Sequence, residues 1–303
     1  MTSDVSHPQH GKAVVALWFI PLLWSVNLLV ARMAPGLVSP HVLAAGRWMI
    51  AGTVLLVLAR QERRMIAVVL RAHPWRYVLM GACGMWICGA WVYIAGQSTS
   101  ALNLSLIYSS APVMIAVGSV WWLGERMRAA QRLGVVLALV GVVHVVVRGD
   151  WLRLSEAHFV VGDLWVSAAA VSWAAFALLQ KRWQAPISAT AQLTAITAGG
   201  VAVLLPFAAW ELTLSSTPPL SWQAMGLMLV TGLLPGVGAY WIYTWTQRIL
   251  GASRVGMTLY LSPLYAAVMG WLALGEPMGS FHVWGGALIL GGVALVTVRR
   301  SKG

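Results

Sequence analysis

The chain of 303 residues contains two copies of one sequence pattern. Residues 101–148 match residues 252–299 at a constant offset of 151 positions, and earlier segments match more weakly at an offset of 149. The matched pairs include Pro112 with Pro263, Gly134 with Gly285, Gly141 with Gly292, and Trp24 with Trp173. An internal repeat of this kind divides a chain into units of one architecture. We therefore expect two equivalent halves.

The composition indicates an integral membrane protein. Hydrophobic residues make up 59% of the chain and charged residues only 9%, far from the usual values of soluble domains. Apolar stretches of 17 or more residues span a hydrocarbon core of about 30 Å as helices, and runs such as 135–147 lack the alternation of a membrane β-strand. We predict ten spans, at 13–33, 40–60, 75–95, 101–123, 130–147, 162–182, 189–210, 222–246, 253–274 and 282–298.

The distribution of basic residues predicts the orientation. With ten spans, 16 of the 20 Lys and Arg residues fall on the side that carries both termini. This positive-inside bias places both termini in the cytoplasm. The net charge of +12 is thus explained by topology and by contact with membrane lipids, and we expect no nucleic-acid partner. The domains are then a tail at 1–12, five-helix repeats at 13–148 and 162–298, and a tail at 299–303.

Five spans per repeat imply an inverted repeat, because an odd number reverses the direction of the second copy. The charge pattern agrees, since Glu125 ends span 4 on the basic side and its counterpart Glu276 ends span 9 on the other side. Inverted repeats are typical of secondary transporters, in which two similar halves exchange outward-open and inward-open shapes. No HExxH motif, paired membrane aspartates or nucleophile elbow is present, so we expect no enzyme.

The order of several short motifs resembles the drug/metabolite transporter (DMT) superfamily, in particular its EamA-type members. The motifs are Trp24, Arg47-Trp48, Ala111-Pro112, Gly124-Glu125, Ser262-Pro263 and Gly275-Glu276. Within the superfamily the chain looks like the YddG branch of bacterial inner-membrane exporters of aromatic and other amino acids. The resemblance implies amino-acid export by alternating access across the inner membrane. It leaves open whether spans 5 and 10 are peripheral or form a weak homodimer.

Polar and aromatic side chains at mid-membrane depth are candidates for the pathway, because they are costly in hydrocarbon unless they meet partners or a cavity. As a set they predict an aromatic, weakly polar cavity, although packing is the alternative for any single ring. The candidate substrate-binding residues are Asn27, Trp86, Tyr93, Tyr108, Ser109, Tyr240, Tyr243 and Tyr260. Cys83 and Cys88 share one span and need neither a disulfide nor a metal, and we expect no cofactor.

Three further residues are candidates for hinges or gates. Pro112 and Pro263 lie near the centres of spans 4 and 9, where each proline frees a carbonyl that must find a partner. Two interpretations are open. Nearby hydroxyl groups pair with the freed carbonyls, or each proline forms a hinge whose freed carbonyl faces the substrate. Arg47 lies deep in span 2, where it either snorkels outward or turns inward, as a structural or gating residue or as a partner for a substrate carboxylate.

The scarcity of charged side chains in the middle of the predicted spans limits the classes of substrate that the sequence favours. All eight acidic residues lie in the tail, loops or span ends, which disfavours a cation pump, and the lack of further pathway cations disfavours a carrier of phosphates. A zwitterion with an apolar side chain fits what remains. A multidrug or other small-metabolite exporter is the alternative. Proton coupling stays open, with His144 either a titrating or a packing residue.

Overall fold

The structure is a computed structural model in which all regular secondary structure of the described residues is helical. It describes residues 7–95, 98–99, 101–156, 158–215, 217–274 and 278–297, except the side chains of 7–8, 28–29, 31–32, 93, 101–102, 266, 269–270 and 273–274. The α-helices are α1 (His7–Ala16), α2 (Phe19–Met33), α3 (Pro40–Leu58), α4 (Arg63–Ala72), α5 (Pro74–Gly81), α6 (Cys88–Ala95), α7 (Ala101–Tyr108), α8 (Ala111–Trp121), α9 (Ala129–Val146), α10 (Val161–Arg182), α11 (Ala189–Leu212), α12 (Trp222–Thr231), α13 (Tyr240–Leu250), α14 (Ala252–Gly256), α15 (Ser262–Leu274) and α16 (Ser280–Thr297).

Among the described residues, seven helices are long and apolar enough to cross a membrane by length and composition. They are Pro40–Leu58, Asn103–Trp121, Ala129–Val146, Val161–Arg182, Ala189–Leu212, Trp222–Leu250 and Ser280–Thr297. Each coincides with one of the predicted spans, and together they are consistent with an integral membrane protein. The count of ten spans and the cytoplasmic position of the termini stay predictions.

The first predicted span is divided in the structure. Helix α1 begins at His7, within the predicted tail, and a turn at Leu17 and Trp18 separates it from α2. Pro21 lies in the first turn of α2 and has no N–H to donate to the carbonyl of Leu17 four residues earlier. The proline therefore favours a new helix start instead of one continuous helix.

Two π-helical segments interrupt the predicted third and eighth spans. They cover Ala82–Ile87, between α5 and α6, and Gly232–Ala239, between α12 and α13, and so occupy corresponding positions of the two repeats. Pro235 inside the second segment removes a backbone donor there. The two segments lie within the predicted spans 75–95 and 222–246. Such wide turns are frequent at functional sites, which directs attention to the residues around them.

The two repeats share one large core, in which α11 packs against α3 and α5, and α10 packs against α6 and α8. A smaller cluster of buried residues lies between α8, α9, α16 and the 3-10 helix Met257–Leu261. Glycines bring α9 and α16 together, since a Cβ atom on Gly134 would lie 2.5 Å from the carbonyl oxygen of Gly292. These glycines therefore form the packing faces of the two helices.

Candidate functional site

Arg47 turns inward. The side chain belongs to α3 and is 4% exposed, and its Nη1 donates a hydrogen bond of 2.9 Å to the Oδ1 atom of Asn27 on α2. The guanidinium carbon also lies 5.2 Å from the centre of the Trp48 ring, within the range of a cation–π contact. Of the two orientations open from the sequence, the structure has the inward one. A cation is therefore held next to a predicted site residue inside the bundle.

Trp48 belongs to a group of six aromatic rings in mutual contact, which we call the central aromatic cluster. They are Trp24, Trp48, Trp173, Phe176, Tyr240 and Tyr243, carried by α2, α3, α10 and α13. Trp48 meets Tyr240 edge to face at 4.8 Å between ring centres, and Trp173 lies 5.4 Å from Tyr243. Both repeats contribute rings, so the cluster lies at their interface.

Trp24 and Trp173 locate the centre of the pseudo-symmetry. They occupy the same position in the two repeats, and their rings meet edge to face at 5.1 Å. A residue and its repeat counterpart can touch only near the axis that relates the two halves. Substrate sites of inverted-repeat transporters lie at the repeat interface, so the inverted repeat that the sequence predicts makes this cluster the candidate site.

The Tyr240 hydroxyl is already engaged in the structure. It donates a hydrogen bond of 2.5 Å to the carbonyl oxygen of Gly84, in the π-helical segment after α5. The Cys88 thiol donates to the same oxygen at 2.9 Å. A wide helical turn leaves carbonyls poorly paired along the chain, and here side chains supply the donors. Tyr240 thus links the wide turn of one repeat to the end of the corresponding turn in the other.

Other donors in the cluster have no acceptor. The indole Nε1 atoms of Trp48 and Trp173 and the hydroxyl of Tyr243 are buried, and none has a hydrogen-bond partner in the part of the chain that the structure describes. One acceptor nearby, Oε1 of Gln180, is likewise unpaired, while the Nε2 atom of Gln180 donates to Thr244 at 2.6 Å. Unpaired buried polar groups are costly. A set of three donors in one cluster is suited to a ligand that brings acceptors.

Three buried or half-buried carboxylates form side-chain hydrogen bonds at helix ends. They pair as Asp163 with Asn103 (2.8 Å), Glu211 with His41 Nδ1 (2.6 Å) and Glu125 with Ser253 (2.6 Å). Each also accepts backbone N–H groups at the start of a helix, where such groups have no partner in the helix itself. Among the residues described, no side chain of the cluster is hydrogen-bonded to a carboxylate, in keeping with the acidic residues predicted at span ends.

The structure brings only part of the predicted set together. Asn27, Tyr240 and Tyr243 lie at the cluster, and Tyr108 packs half-buried against the same core. Trp86 instead stacks on Phe207, with 4.3 Å between ring centres. The side chain of Tyr93 lies outside the described residues.

Tyr260 is separated from the other predicted tyrosines. It is 1% exposed and belongs to the smaller cluster of buried residues with α9 and α16, whereas Tyr240 and Tyr243 belong to the large core. Its hydroxyl has no hydrogen-bond partner among the described residues. Tyr243 and Tyr260 thus both have a buried hydroxyl without a partner among the described residues, but only the hydroxyl of Tyr243 lies in the central aromatic cluster.

Both central prolines follow a break in their helices. Before Pro112, the hydroxyls of Ser109 and Ser110 donate to the carbonyls of Leu106 and Ile107 at 2.6 Å each. Before Pro263, the segment Met257–Leu261 is a 3-10 helix, and the N–H of Ser262 donates to the carbonyl of Leu259. The carbonyl of Leu259, which Pro263 frees, is thus paired by a backbone N–H, and the serine hydroxyls before Pro112 meet the carbonyls of Leu106 and Ile107 and not that of Tyr108, which Pro112 frees. These bonds therefore differ from the repair by hydroxyls that one alternative predicts. The hinge role stays a prediction.

Several residues of the site were absent from the predicted set. In the sequence, Trp24 and Trp173 stand out through the repeat and Trp48 through a motif, whereas Phe176 and Gln180 belong to neither. One signal was available, since tryptophan occurs at matched repeat positions 24 and 173. Trp48, Phe176 and Gln180 carry no comparable signal. The sequence around an aromatic or amide residue in an apolar helix does not differ according to whether the side chain faces a cavity, a neighbouring helix or lipid.

The repeated helical fold and the buried cluster at the repeat interface define the class as a membrane transporter. The chain belongs to the EamA-like transporter family, whose model matches residues 11–147 and again residues 160–298. The family lies within the DMT superfamily, as the motifs predicted.

Similar proteins cover nearly the whole chain. The uncharacterized transporter YyaM of Bacillus subtilis is 28% identical over 94% of this chain and 93% of its own. A protein of Streptantibioticus cattleyicolor named "probable terminal-alkyne amino-acid exporter" is 26% identical over 97% of this chain and 95% of its own. One crystal structure superposes with a TM-score of 0.75 at 21% identity, covering 94% of this chain and 96% of that one, and shows the same fold.

Proposed function

We propose that this transporter exports aromatic and other apolar or neutral amino acids across the bacterial inner membrane, by alternating access around the central aromatic cluster. The repeats 13–148 and 162–298 would be the two halves that move, with both termini in the cytoplasm. The observation that carries the proposal is the set of unpaired donors on Trp48, Trp173 and Tyr243. An amino acid would bring carboxylate oxygens as acceptors, and hydrogen bonds to a charged group are the stronger kind.

The remaining features of the cluster suit the other parts of an amino acid. Aromatic faces attract an ammonium group, and the unpaired Oε1 of Gln180 can accept from it. The rings also offer apolar walls for the side chain. The relative named as an amino-acid exporter supports the same substrate class. An aromatic site with few directional groups is expected to accept several amino acids instead of one.

The proposal is tested by uptake into liposomes that contain the purified protein. Labelled tryptophan, methionine and threonine are supplied with and without an imposed pH gradient, and empty liposomes are the control. We expect saturable uptake of more than one amino acid, and its response to the gradient reports coupling. Uptake no greater than in empty liposomes, together with flux of a lipophilic cation, would contradict the proposal and support the multidrug alternative.

Replacement of Asn27 by alanine is expected to lower amino-acid transport by about tenfold at unchanged abundance in the membrane. The change removes the acceptor that holds Nη1 of Arg47, and a hydrogen bond to a charged group contributes about 1.5 kcal/mol or more. Initial rates in liposomes of matched protein content measure the effect. Thr53→Ala is the control, because the Thr53 side chain is exposed and its hydroxyl bonds only to the carbonyl of Met49 on its own helix. Equal losses in both variants would show that the effect is not specific to Arg47.

A further inference from the structure

The last turn of α11 holds the first turn of α3 through a buried carboxylate. Glu211, which is 8% exposed, accepts the backbone N–H groups of His41 at 2.9 Å and Val42 at 3.1 Å. Its other oxygen lies 2.6 Å from Nδ1 of His41. The first N–H groups of a helix have no partner within it, so the carboxylate satisfies them. The contact joins one repeat to the other at the end of both helices that is predicted to face outward.

An aromatic stack continues this contact toward the middle of the bundle. Phe207, one helical turn before Glu211, lies nearly parallel to the rings of both His41, at 5.4 Å, and Trp86, at 4.3 Å. Trp86 belongs to the first π-helical segment. His41 precedes Trp48 by seven residues, about 10 Å along α3. The stack therefore lies between the central aromatic cluster and the predicted outer side.

The end of α11 that carries this contact follows a proline. Pro206 lies inside α11 directly before Phe207, where it removes one hydrogen bond of the helix. A helix bends most readily at such a position. Phe207 and Glu211 are thus on a short segment that can tilt without unfolding the rest of α11.

The same backbone contact recurs at the opposite end, on the repeat counterpart of Glu211. Glu62 precedes Glu211 by 149 positions and accepts the N–H of Ser188, at the start of α11, at 2.9 Å. Hydrogen bonds from Ser188 lower the pKa of Glu62, which is therefore ionised at neutral pH. The positions that correspond to Pro206 and Phe207 are Val57 and Leu58, both exposed. The inner contact, between Glu62 and Ser188, therefore resembles the outer one in its carboxylate but has no counterpart of Pro206 or of the stacked Phe207 ring.

We propose that Glu211, His41 and Phe207 form the gate that closes the outer end of the transport path, and that Glu62 with Ser188 is its inner counterpart. The inference rests on the alternating-access part of the proposed function and is independent of the substrate. Each contact stabilises the state in which its own side is closed. Loss of the outer contact shifts the population toward the outward-open state, and loss of the inner contact shifts it toward the inward-open state.

The test measures distances between spin labels in the full chain, with Cys83 and Cys88 replaced by alanine and serine. One pair of labels, at exposed Met33 and Leu214, reports the outer side, and a second pair, at exposed Leu58 and Gln184, reports the inner side. We expect Glu211→Ala and Phe207→Ala to add a longer-distance population to the outer pair alone. Glu62→Ala is expected to do so for the inner pair alone, and Phe207→Tyr, which keeps a ring in the stack, to resemble the parent protein.

The matched control is Trp210→Ala, which removes a large ring from the same part of α11 on a side chain that is 59% exposed. It is expected to change neither distance. Unchanged distances between the outer labels in Phe207→Ala would refute the gate. Longer distances in both the outer and the inner pair of labels in each variant would also refute it, because general destabilisation of the bundle would have that effect. The distances are measured without substrate. Altered distances without amino-acid uptake would therefore refute only the proposed substrate, and uptake without altered distances would refute only the gate.

Discussion

Replacement of Tyr243 by phenylalanine is expected to weaken amino-acid transport by about tenfold and to leave the protein at least as stable as before. The hydroxyl is buried at the central aromatic cluster and has no partner among the described residues. Its removal therefore breaks no hydrogen bond among the described residues and relieves a desolvation cost of about 1 kcal/mol or more. If the hydroxyl donates to a substrate carboxylate, the same change removes a bond worth about a factor of ten in affinity.

The matched variant is Tyr260→Phe. Tyr260 is equally buried and its hydroxyl is also unpaired among the described residues, but it lies in the smaller cluster with α9 and α16. We expect normal transport from this variant. Concentration dependence of uptake in liposomes and thermal unfolding in detergent measure the two effects separately. Normal transport by Tyr243→Phe, or equal losses in the two variants, would show that the unpaired hydroxyl of Tyr243 does not bind substrate.

Replacement of Gly199 by alanine is expected to produce a large loss of stability. A Cβ atom at this position of α11 would lie 2.2 Å from the carbonyl oxygen of Tyr77 on α5. On α5, a Cβ atom added to Gly81 would lie 2.1 Å from the backbone nitrogen of Gly200 on α11. The two backbones are in direct contact, so no side-chain movement makes room. Overpacking of this kind costs about 1–3 kcal/mol. Because the contact joins the two repeats, the separation of α5 from α11 would also disturb their shared core.

Gly226→Ala is the control for this variant. Gly226 also lies within a helix, α12, and a Cβ atom there would meet nothing within 4 Å. Alanine is favoured over glycine inside a helix by about 1 kcal/mol, so this variant should equal or exceed the parent in stability. The melting temperature and the folded fraction after purification measure both changes. Equal stability of the two variants would mean that α5 and α11 can separate at little cost.

The fold could be predicted to the level of its helices because the signals lie within single segments. Apolar runs long enough to span a bilayer, interrupted by charged loops, mark most helices within a few residues. The π-helical segments at Ala82–Ile87 and Gly232–Ala239 were missed. Their sequences are apolar like their neighbours, and the difference between hydrogen bonds that span four residues and hydrogen bonds that span five leaves no clear compositional signal. Gly84 has its carbonyl paired by the distant Tyr240, which local pattern cannot reveal.

The aromatic, weakly polar character of the candidate site could be predicted from the sequence, but only some of the residues that form it could be. Residue type and depth selected Asn27, Tyr240 and Tyr243, all of which the structure places at the cluster. The same reasoning selected Tyr260, which the structure places elsewhere, because the sequence states the depth of a residue in its helix without stating which neighbour it faces. The pairing of Glu211 with His41 was also unforeseen, since 170 positions separate the two residues.

The sequence by itself determined that this is a membrane protein with two related halves and membership of a transporter family, since repeats, hydrophobic runs and motifs are properties of the chain read in order. The tertiary structure alone decided which rings meet at the interface of the two repeats, where Trp24 touches Trp173, and which buried donors lack an acceptor among the described residues. Those facts depend on helix rotation and on contacts between the halves. In an apolar bundle many rotations bury similar area, and only the packing of all helices together selects one.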